Sequence, residues 1–254
     1  MLFKRFALCR VGVMRRFGYI AMLLAAPGLA QPTVNAASPY IAPGQDEPGY
    51  RAWVMTDPSR PAAVAAYYAF LSGRGVAGIV PTWQLLRTAT DWQKCAAQPF
   101  DVPPPEQWPH IVETLDYVRA HVVPVIGPVE PVSVYRNPAL NACAGGAKES
   151  AHAQLYAMDL VPLRSIQREA MVRSLCAIHL WRGTGFDVGL GFYKGLRFHV
   201  DSKKFRKWGG DGKGESSPCA AMVAELDAAA ALQAASGTPV SPTLPTVDPL
   251  APRP

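Results

Sequence analysis

Four cysteines follow an export-like N-terminal segment and are spread through the rest of the chain: Cys95, Cys143, Cys176 and Cys219. An even number of cysteines in an exported chain predicts two disulfides, formed in an oxidising compartment. Four cysteines allow three pairings, and their positions in the sequence do not select one of them. Buried free thiols are the alternative. A zinc site built from all four thiolates is disfavoured because no two of them have the close spacing that such sites use.

The N-terminal segment has the three parts of a secretory signal peptide. No acidic residue precedes Asp46, and the basic residues at the start are Lys4, Arg5, Arg10, Arg15 and Arg16. The apolar run YIAMLLAAPGLA follows and ends in small residues. We assign residues 1–36 to the signal peptide, with cleavage after Ala30 or Ala36. The run is shorter than the ~20 apolar residues of a spanning helix, so no stable membrane anchor is expected after cleavage. An uncleaved anchor is the alternative.

Composition limits the kinds of partner. The formal net charge of +6 falls to +1 when those five basic residues are removed. The basic character therefore comes mainly from targeting, and it gives no reason to expect nucleic-acid binding. Apolar residues make up 49% of the chain, which is enough for a packed core. A chain of 254 residues holds one domain with long extensions, or at most two small ones.

The apolar pattern and the Pro- and Gly-rich stretches divide the chain into an N-terminal arm, a core and a tail. Residues 37–80 are rich in Pro, Gly and Ala; we expect a linker or extended arm to about residue 60 and a helix from Arg60 to Ser72. The core is expected at 81–220, followed by a helix at 221–236. The last segment, 237–254, has too little apolar content to fold, and we expect it to be disordered.

Within the core, helical and extended patterns are mixed. The predicted elements are a helix over 108–121, strands over 132–135 and 156–163, a helix capped by Ser165 and running to about Leu180, and a hairpin over 187–202. This order predicts an α+β fold in which helices pack on a small, mostly antiparallel sheet.

Two histidines and an aspartate are the first candidates for chemistry. His152 and Asp159 lie seven positions apart behind a Gly-Gly-Ala turn, and His199 lies on the predicted strand LRFHVDS. Alternation along that strand places Arg197, His199 and Asp201 on one face. Two histidines and one carboxylate form a three-ligand zinc set that leaves one position open, the arrangement of a hydrolytic site. The alternative is a capping aspartate with two hydrogen-bonded histidines.

The region from about Val132 to Trp208 resembles the zinc D-Ala-D-Ala peptidases of bacterial cell walls. This carboxypeptidase and murein endopeptidase superfamily shares its fold with the Hedgehog signalling domain, and the chain looks like an extensin-like or peptidase-type exported member. The motifs that match, in the family's order, are Ser133-x-Tyr135-Arg136, Asn141 before Gly145–Ala147, Ser150, His152-x6-Asp159, the turn Gly189-x-Gly191-x-Tyr193, and His199-x-Asp201.

The resemblance implies a role for each matching position. His152, Asp159 and His199 would bind Zn²⁺, and Arg136 would stabilise a developing oxyanion on the substrate. Tyr135 and Ser150 would contact the substrate. The implied substrates are peptidoglycan peptides, and the implied location is the periplasm of a Gram-negative cell. Alternatives are a surface arginine for Arg136, a capping serine for Ser150, a non-catalytic wall-binding protein, and a structural domain that binds no metal.

The sequence departs from the family pattern at two positions. Leu155 stands where the family usually has a glycine, and Leu196 stands where it usually has an acidic general base. Asp201 is the nearest substitute on the face of His199. It is expected to act either as the base or as a residue that orients a ligand histidine, and the second role is slightly favoured. Asp187, Glu149 and His179 are weaker candidates, and His179 falls within an apolar helical pattern that favours a core position.

Overall fold

A computed structural model describes residues 38–236. The predicted signal peptide at 1–36 and the predicted tail at 237–254 lie outside this range. The described residues form an α+β fold in which helices pack on a five-stranded sheet, so the predicted fold class is confirmed. None of the helices in this range combines the length and apolar composition that a membrane crossing requires.

The helices are α1 (Glu47–Met55), α2 (Arg60–Gly73), α3 (His110–Tyr117), α4 (Val123–Ile126), α5 (Pro138–Cys143), α6 (Arg168–Arg182) and α7 (Pro218–Ser236). A π-helical segment, Val118–Val122, joins α3 to α4, so the predicted helix over 108–121 continues further than expected. The helix expected from Arg60 is confirmed as α2. Gln167, and not Ser165, occupies the N-cap position of α6.

Part of the segment predicted as a linker or extended arm is helical, so that prediction is wrong for α1. The side chain of Asp46 accepts a hydrogen bond from the backbone N–H of Gly49, and a proline follows in the first turn. Trp53 is buried against Phe100, with ring centroids 5.7 Å apart. A capping aspartate and an early proline are helix-start signals, which the general Pro and Gly content of the segment obscured.

The strands are β1 (Val129–Ser133), β2 (Ala157–Pro162), β3 (Gly189–Phe192), β4 (Phe198–Asp201) and β5 (Arg206–Trp208). Their order in the sheet is β1-β2-β4-β3-β5. All neighbouring pairs are antiparallel except β3 and β5, which are parallel. The predicted hairpin is confirmed as β3 and β4. The sheet is therefore mostly antiparallel, as expected.

The two faces of the sheet have different surroundings. The core face carries alternate apolar residues of β2, β3 and β4, which pack with residues of α3 and α6: Met158, Leu160, Leu190, Phe192, Phe198, Val200, Ile111, Leu115, Met171 and Leu175. The opposite face carries one row of residues aligned across the five strands by register: Ser133, Asp159, His199, Gly191 and Trp208. Because directly paired residues point to the same side, this row brings Asp159 and His199 together.

Two disulfides cross-link the described residues, as predicted, and the structure resolves their pairing. Cys95 bonds to Cys143 at the end of α5, and Cys176 in α6 bonds to Cys219 in α7. The bridges close segments with sequence separations of 48 and 43 residues. Disulfides are typical of chains that mature in an oxidising compartment, which agrees with export.

Candidate metal centre

Three side chains from separate parts of the fold meet at the polar face of the sheet. His152 belongs to a short 3₁₀ turn, Asp159 to β2 and His199 to β4. All three are buried, and one potential ligand atom from each lies within 4.8 Å of the other two. The three predicted metal ligands are thus brought together, although they are remote in sequence.

Hydrogen bonds on the outer side of each imidazole determine which nitrogen faces the centre. His152 Nδ1 lies 2.6 Å from the carbonyl oxygen of Val134, to which it donates, so its Nε2 lone pair points inward. His199 Nε2 lies 2.9 Å from Asp201 Oδ2 and donates to it, so the Nδ1 lone pair points inward. These partners select the tautomers that suit a metal ligand.

The three inward-facing atoms are all hydrogen-bond acceptors in these tautomers. His152 Nε2 lies 3.1 Å from His199 Nδ1 and 3.2 Å from Asp159 Oδ1, and the remaining side of the triangle is 3.0 Å. One proton bridges only two such atoms, whereas a cation between them contacts all three. A tetrahedral ion with ~2.0–2.1 Å bonds separates its ligands by about 3.3–3.4 Å. The group therefore fits a divalent metal ion after a shift of a few tenths of an ångström.

The protonation of the two histidines is set by their surroundings. Burial and the nearby charge of Arg136 lower the pKa of His152 to about 4, so its imidazole is neutral at physiological pH. Burial acts to lower the pKa of His199 as well, but hydrogen bonds to Asp159 and Asp201 outweigh it and raise the pKa. A divalent cation competes directly with any proton held at this centre.

Both carboxylate oxygens of Asp159 accept hydrogen bonds. Arg136 and Arg197 each donate to Oδ2 at 2.6 Å, while the Tyr193 hydroxyl donates to Oδ1 at 3.1 Å. Burial acts to raise the pKa of Asp159. The charge that His152 carries when it is protonated in acid, together with the charges of Arg197 and Arg136, outweighs burial and holds the pKa well below its ordinary value. Because Oδ2 is occupied by two guanidinium groups, Oδ1 is the oxygen available to a metal.

Sequence reasoning did not assign a role to Arg197 or Tyr193. Strand alternation had placed Arg197 on the face of His199, and Tyr193 belonged to the matched turn motif. Neither pattern identifies which group a side chain will contact. The shared partner Asp159 becomes visible only when β2 pairs with β4.

Of the two roles predicted for Asp201, its position favours the one in which it orients a ligand histidine over the catalytic role of general base. Asp201 is fully buried behind His199, and Oδ2 accepts from His199 Nε2 at 2.9 Å. Arg206 donates to both carboxylate oxygens, at 3.0 and 2.8 Å, and the backbone N–H of Lys203 donates to Oδ1. With these partners, Asp201 orients the imidazole of His199 and is shielded from substrate.

The two residues predicted to bind substrate have different surroundings. Ser150 lines the cavity above the centre, and its Oγ accepts from the backbone N–H of His152 at 3.2 Å. Tyr135 packs in the hydrophobic core and is absent from the cavity wall formed by the described residues. The prediction that Tyr135 contacts substrate is therefore not supported by its position. The strand alternation does not continue past the end of β1, since Arg136 contacts Ser133 and Asp159 while Tyr135 packs in the core.

Arg136 lies at the centre, as the resemblance implied, but two of its three guanidinium nitrogens already donate hydrogen bonds within the protein. Its Nε donates to Ser133 Oγ at 2.9 Å, and Nη2 donates to Asp159. Among the described residues, Nη1 has no hydrogen-bond partner, and the side chain lines the cavity. Arg136 thus combines a guanidinium anchored through Nε and Nη2 with a place in the cavity wall.

The loop before His152 is shaped by Asn141. Its side-chain amide donates to the Ala147 carbonyl at 2.9 Å, and its backbone carbonyl accepts from the Gly146 N–H at 2.8 Å. A Cβ at position 146 would overlap the Asn141 side chain, so glycine is required by this close approach. The matched Asn and Gly-Gly-Ala motif therefore has a structural reason, which is to place the loop that carries Ser150 and His152.

The presence of Leu155 where the resembled family usually has a glycine also has a structural explanation. Leu155 ends the turn of His152 with φ of 57° and ψ of 25°, in the left-handed region that favours glycine. Such a conformation costs a non-glycine residue about 1 kcal/mol. The Leu155 side chain is fully buried in the core, and that burial contributes about 1.5–3 kcal/mol. Hydrophobic packing therefore offsets the backbone strain.

A cavity of about 790 Å³ opens above the centre. His152 and His199 form part of its wall, together with Arg136, Tyr193 and Trp208. Leu196 lies elsewhere, with its backbone N–H bonded to the Tyr40 hydroxyl. Glu149 is the one carboxylate residue among the described residues that form the wall. A ligand in this cavity meets imidazole, guanidinium, phenol and carboxylate groups at once.

Comparison of the chain with protein-family models, with curated proteins and with solved structures found no match.

Proposed function

We propose that this protein is an exported zinc metallopeptidase that hydrolyses peptidoglycan stem peptides or their cross-links. The reaction is that of a D-Ala-D-Ala carboxypeptidase or a murein endopeptidase, in the periplasm of a Gram-negative cell. One observation carries the proposal: three potential metal-ligating atoms converge beside Arg136, and both histidines and Arg136 line an open cavity. The matched motifs contribute the substrate class.

The donor set favours zinc over other common divalent ions. Two neutral imidazole nitrogens and one carboxylate oxygen form a ligand set known from catalytic zinc sites. Magnesium and calcium prefer sets made of oxygen atoms only. Zinc also tolerates three protein ligands with one position left for another molecule, which matches a centre that borders a cavity.

The residues around the centre have separable tasks in the proposed reaction. A bound zinc ion supplies a Lewis acid that polarises a carbonyl and lowers the pKa of water. Asp201 and the Val134 carbonyl fix the imidazole orientations. Arg136 lines the cavity, where its guanidinium would donate to the substrate carbonyl and stabilise the negative charge that develops on it. Tyr193 holds Asp159 Oδ1 in place.

Proton transfer requires an acceptor on the cavity wall. Leu196 cannot accept a proton, and the oxygens of Asp201 are already occupied. Glu149 is therefore the residue that we propose as general base, because its carboxylate belongs to the loop that forms the cavity wall beside His152. Its side chain is exposed, so it is accessible from the cavity.

A non-catalytic wall-binding protein is the second candidate. It is favoured by one observation, which is that the position of the usual base is leucine and the nearest aspartate is buried behind His199. Such a protein would keep the metal, the cavity and affinity for stem peptides, but it would release no product.

Digestion of purified muropeptides separates these functions. We expect the protein to release product, with activity lost on chelation, restored by zinc, and abolished by His152→Ala. His121→Ala is the matched control, because His121 contacts Tyr117 and Phe186 far from the cavity wall. Muropeptide binding without cleavage would support the wall-binding protein, and neither binding nor cleavage would contradict both functions.

A further inference from the structure

The chain that follows β4 forms one wall of the cavity and is strongly basic. The cavity wall includes Lys203, Lys204, Arg206 and Lys207, and Arg136 also lines the cavity. Against these five cationic residues, Glu149 is the one acidic residue in the wall among the described residues. The excess of positive charge around the opening is unusual for a mature chain whose predicted net charge is only +1.

Internal ion pairs neutralise part of this charge, but not the lysines. Arg136 is paired with Asp159, and Arg206 is paired with Asp201. In the described part of the chain, Lys203 and Lys204 form no ion pair with any carboxylate. The Lys203 ammonium group donates to the backbone carbonyl of Glu149 at 2.9 Å, which holds it at the cavity edge. Lys204 is exposed.

Trp208 connects this basic wall to the metal centre. Its ring lies 4.7 Å from that of His199, and the Arg206 guanidinium lies 5.0 Å from the indole on another side. A Cβ at Gly191 would collide with the indole, so glycine at that position allows the ring to lie flat against the sheet. Trp208 therefore anchors the basic segment to the sheet beside His199.

We infer that Lys203 and Lys204 form a subsite that binds side-chain carboxylates of an acidic peptide, one or more residues away from the bond that is cut. This inference rests on the proposed function, because it takes the occupant of the cavity to be a peptide. Lysine ammonium groups act as mobile point charges and suit carboxylates spaced along an extended chain. Arg136 and the metal centre engage the reacting group, and the lysine subsite selects for the charge beside it.

The test uses synthetic stem tetrapeptides and pentapeptides in two forms, with the side-chain carboxylates either free or amidated. Binding to the zinc-loaded protein is measured by calorimetry, and turnover is measured separately. We expect the free-acid peptide to bind more tightly than the amidated peptide. The double variant Lys203→Gln/Lys204→Gln should weaken binding of the acid form by about 3–10-fold, the effect of losing two exposed charge contacts, and should leave the amidated form unchanged.

A matched control removes two exposed charges elsewhere. Lys94→Gln/Arg173→Gln has the same change in net charge, so it should retain the preference for the free acid. Equal affinity of the wild-type protein for both peptide forms would overturn the subsite, as would an equal loss of affinity in the control. Selective binding without any turnover would support the subsite while contradicting the peptidase function, so the two ideas fail separately.

Discussion

Replacing His199 with alanine tests the metal centre through its effect on folding stability. The wild-type centre presents three atoms separated by 3.0–3.2 Å, and they would bind an ion together only in the folded chain, where they converge. A ligand that binds only the folded state stabilises it by about 2.7 kcal/mol when its free concentration is 100-fold above Kd. For a chain of this size, each kcal/mol raises Tm by about 2–4 °C. We therefore expect zinc to raise the wild-type Tm by roughly 5–10 °C.

The same arithmetic gives the expected result for the variant. Loss of a direct ligand should weaken zinc binding at least as much as loss of a supporting residue, which costs up to about 100-fold. At the same zinc concentration, the ion would then be near its Kd, and the stabilisation falls to about 0.4 kcal/mol. The expected rise in Tm is about 1–2 °C. His199→Ala should therefore remove most of the zinc-induced shift.

The comparison must use each protein's own shift, because His199→Ala also changes the metal-free protein. The substitution removes a partner from two buried carboxylates, Asp159 and Asp201, and lowers stability before any metal is added. Scanning calorimetry of chelator-treated protein, with and without added zinc, separates these effects. His121→Ala serves as the control and should keep the wild-type shift. A shift of equal size in His199→Ala, or wild-type protein that binds no zinc by elemental analysis, would refute the assigned centre.

Three further predictions concern the general base, the disulfides and acid stability. Glu149→Gln should lower kcat by about 100-fold or more while leaving zinc content and KM nearly unchanged; unchanged kcat would remove Glu149 from the proposed reaction. Cys176→Ala/Cys219→Ala should lower the free energy of unfolding by about 4 kcal/mol in urea titrations, since the bridge closes a long segment, and a loss below 1 kcal/mol would contradict its assigned stabilising role. Burial lowers the pKa of His179, and the hydrogen bond to the Val188 carbonyl opposes this effect. The stability that the neutral imidazole contributes is therefore present above the unfolded pKa of about 6.5 and is lost as pH falls below it. His179→Gln should therefore lose less stability than wild type between pH 7.5 and 5 in urea titrations, and an equal loss would contradict a buried neutral His179.

The elements with a regular apolar pattern were predictable from sequence, and so was the face of β4 that carries chemistry. Alternation placed His199 on the side away from Phe198 and Val200, and the structure has both apolar residues in the core. The register between strands was not predictable. It depends on which strands pair, and it alone aligns Asp159 with His199.

The side-chain roles that the sequence left open or misassigned have a common physical explanation. A side chain's role depends on where its polar atoms find partners, and sequence alternation gives only its face. Asp201 lies on the predicted face but is captured by His199 and Arg206, so it supports the centre from behind. Tyr135 lies next to Arg136 in a matched motif, yet it packs in the core. Motif membership identified the neighbourhood of the site and not the direction of each side chain.

The charges around Asp159 connect the metal centre to the basic wall. Two arginines donate to its Oδ2, so the carboxylate and its partners carry a net charge of about +1 before any ion binds, and a divalent ion would raise this to about +3. Competition from two guanidinium groups reduces the electron density that Asp159 can give to a metal, which makes the ion a stronger Lewis acid at some cost in affinity. A buried centre with this excess of positive charge is stabilised when an anionic group enters the cavity. The same field attracts a carboxylate-bearing peptide, so the arginines inside the site and the lysines at its edge favour one class of ligand.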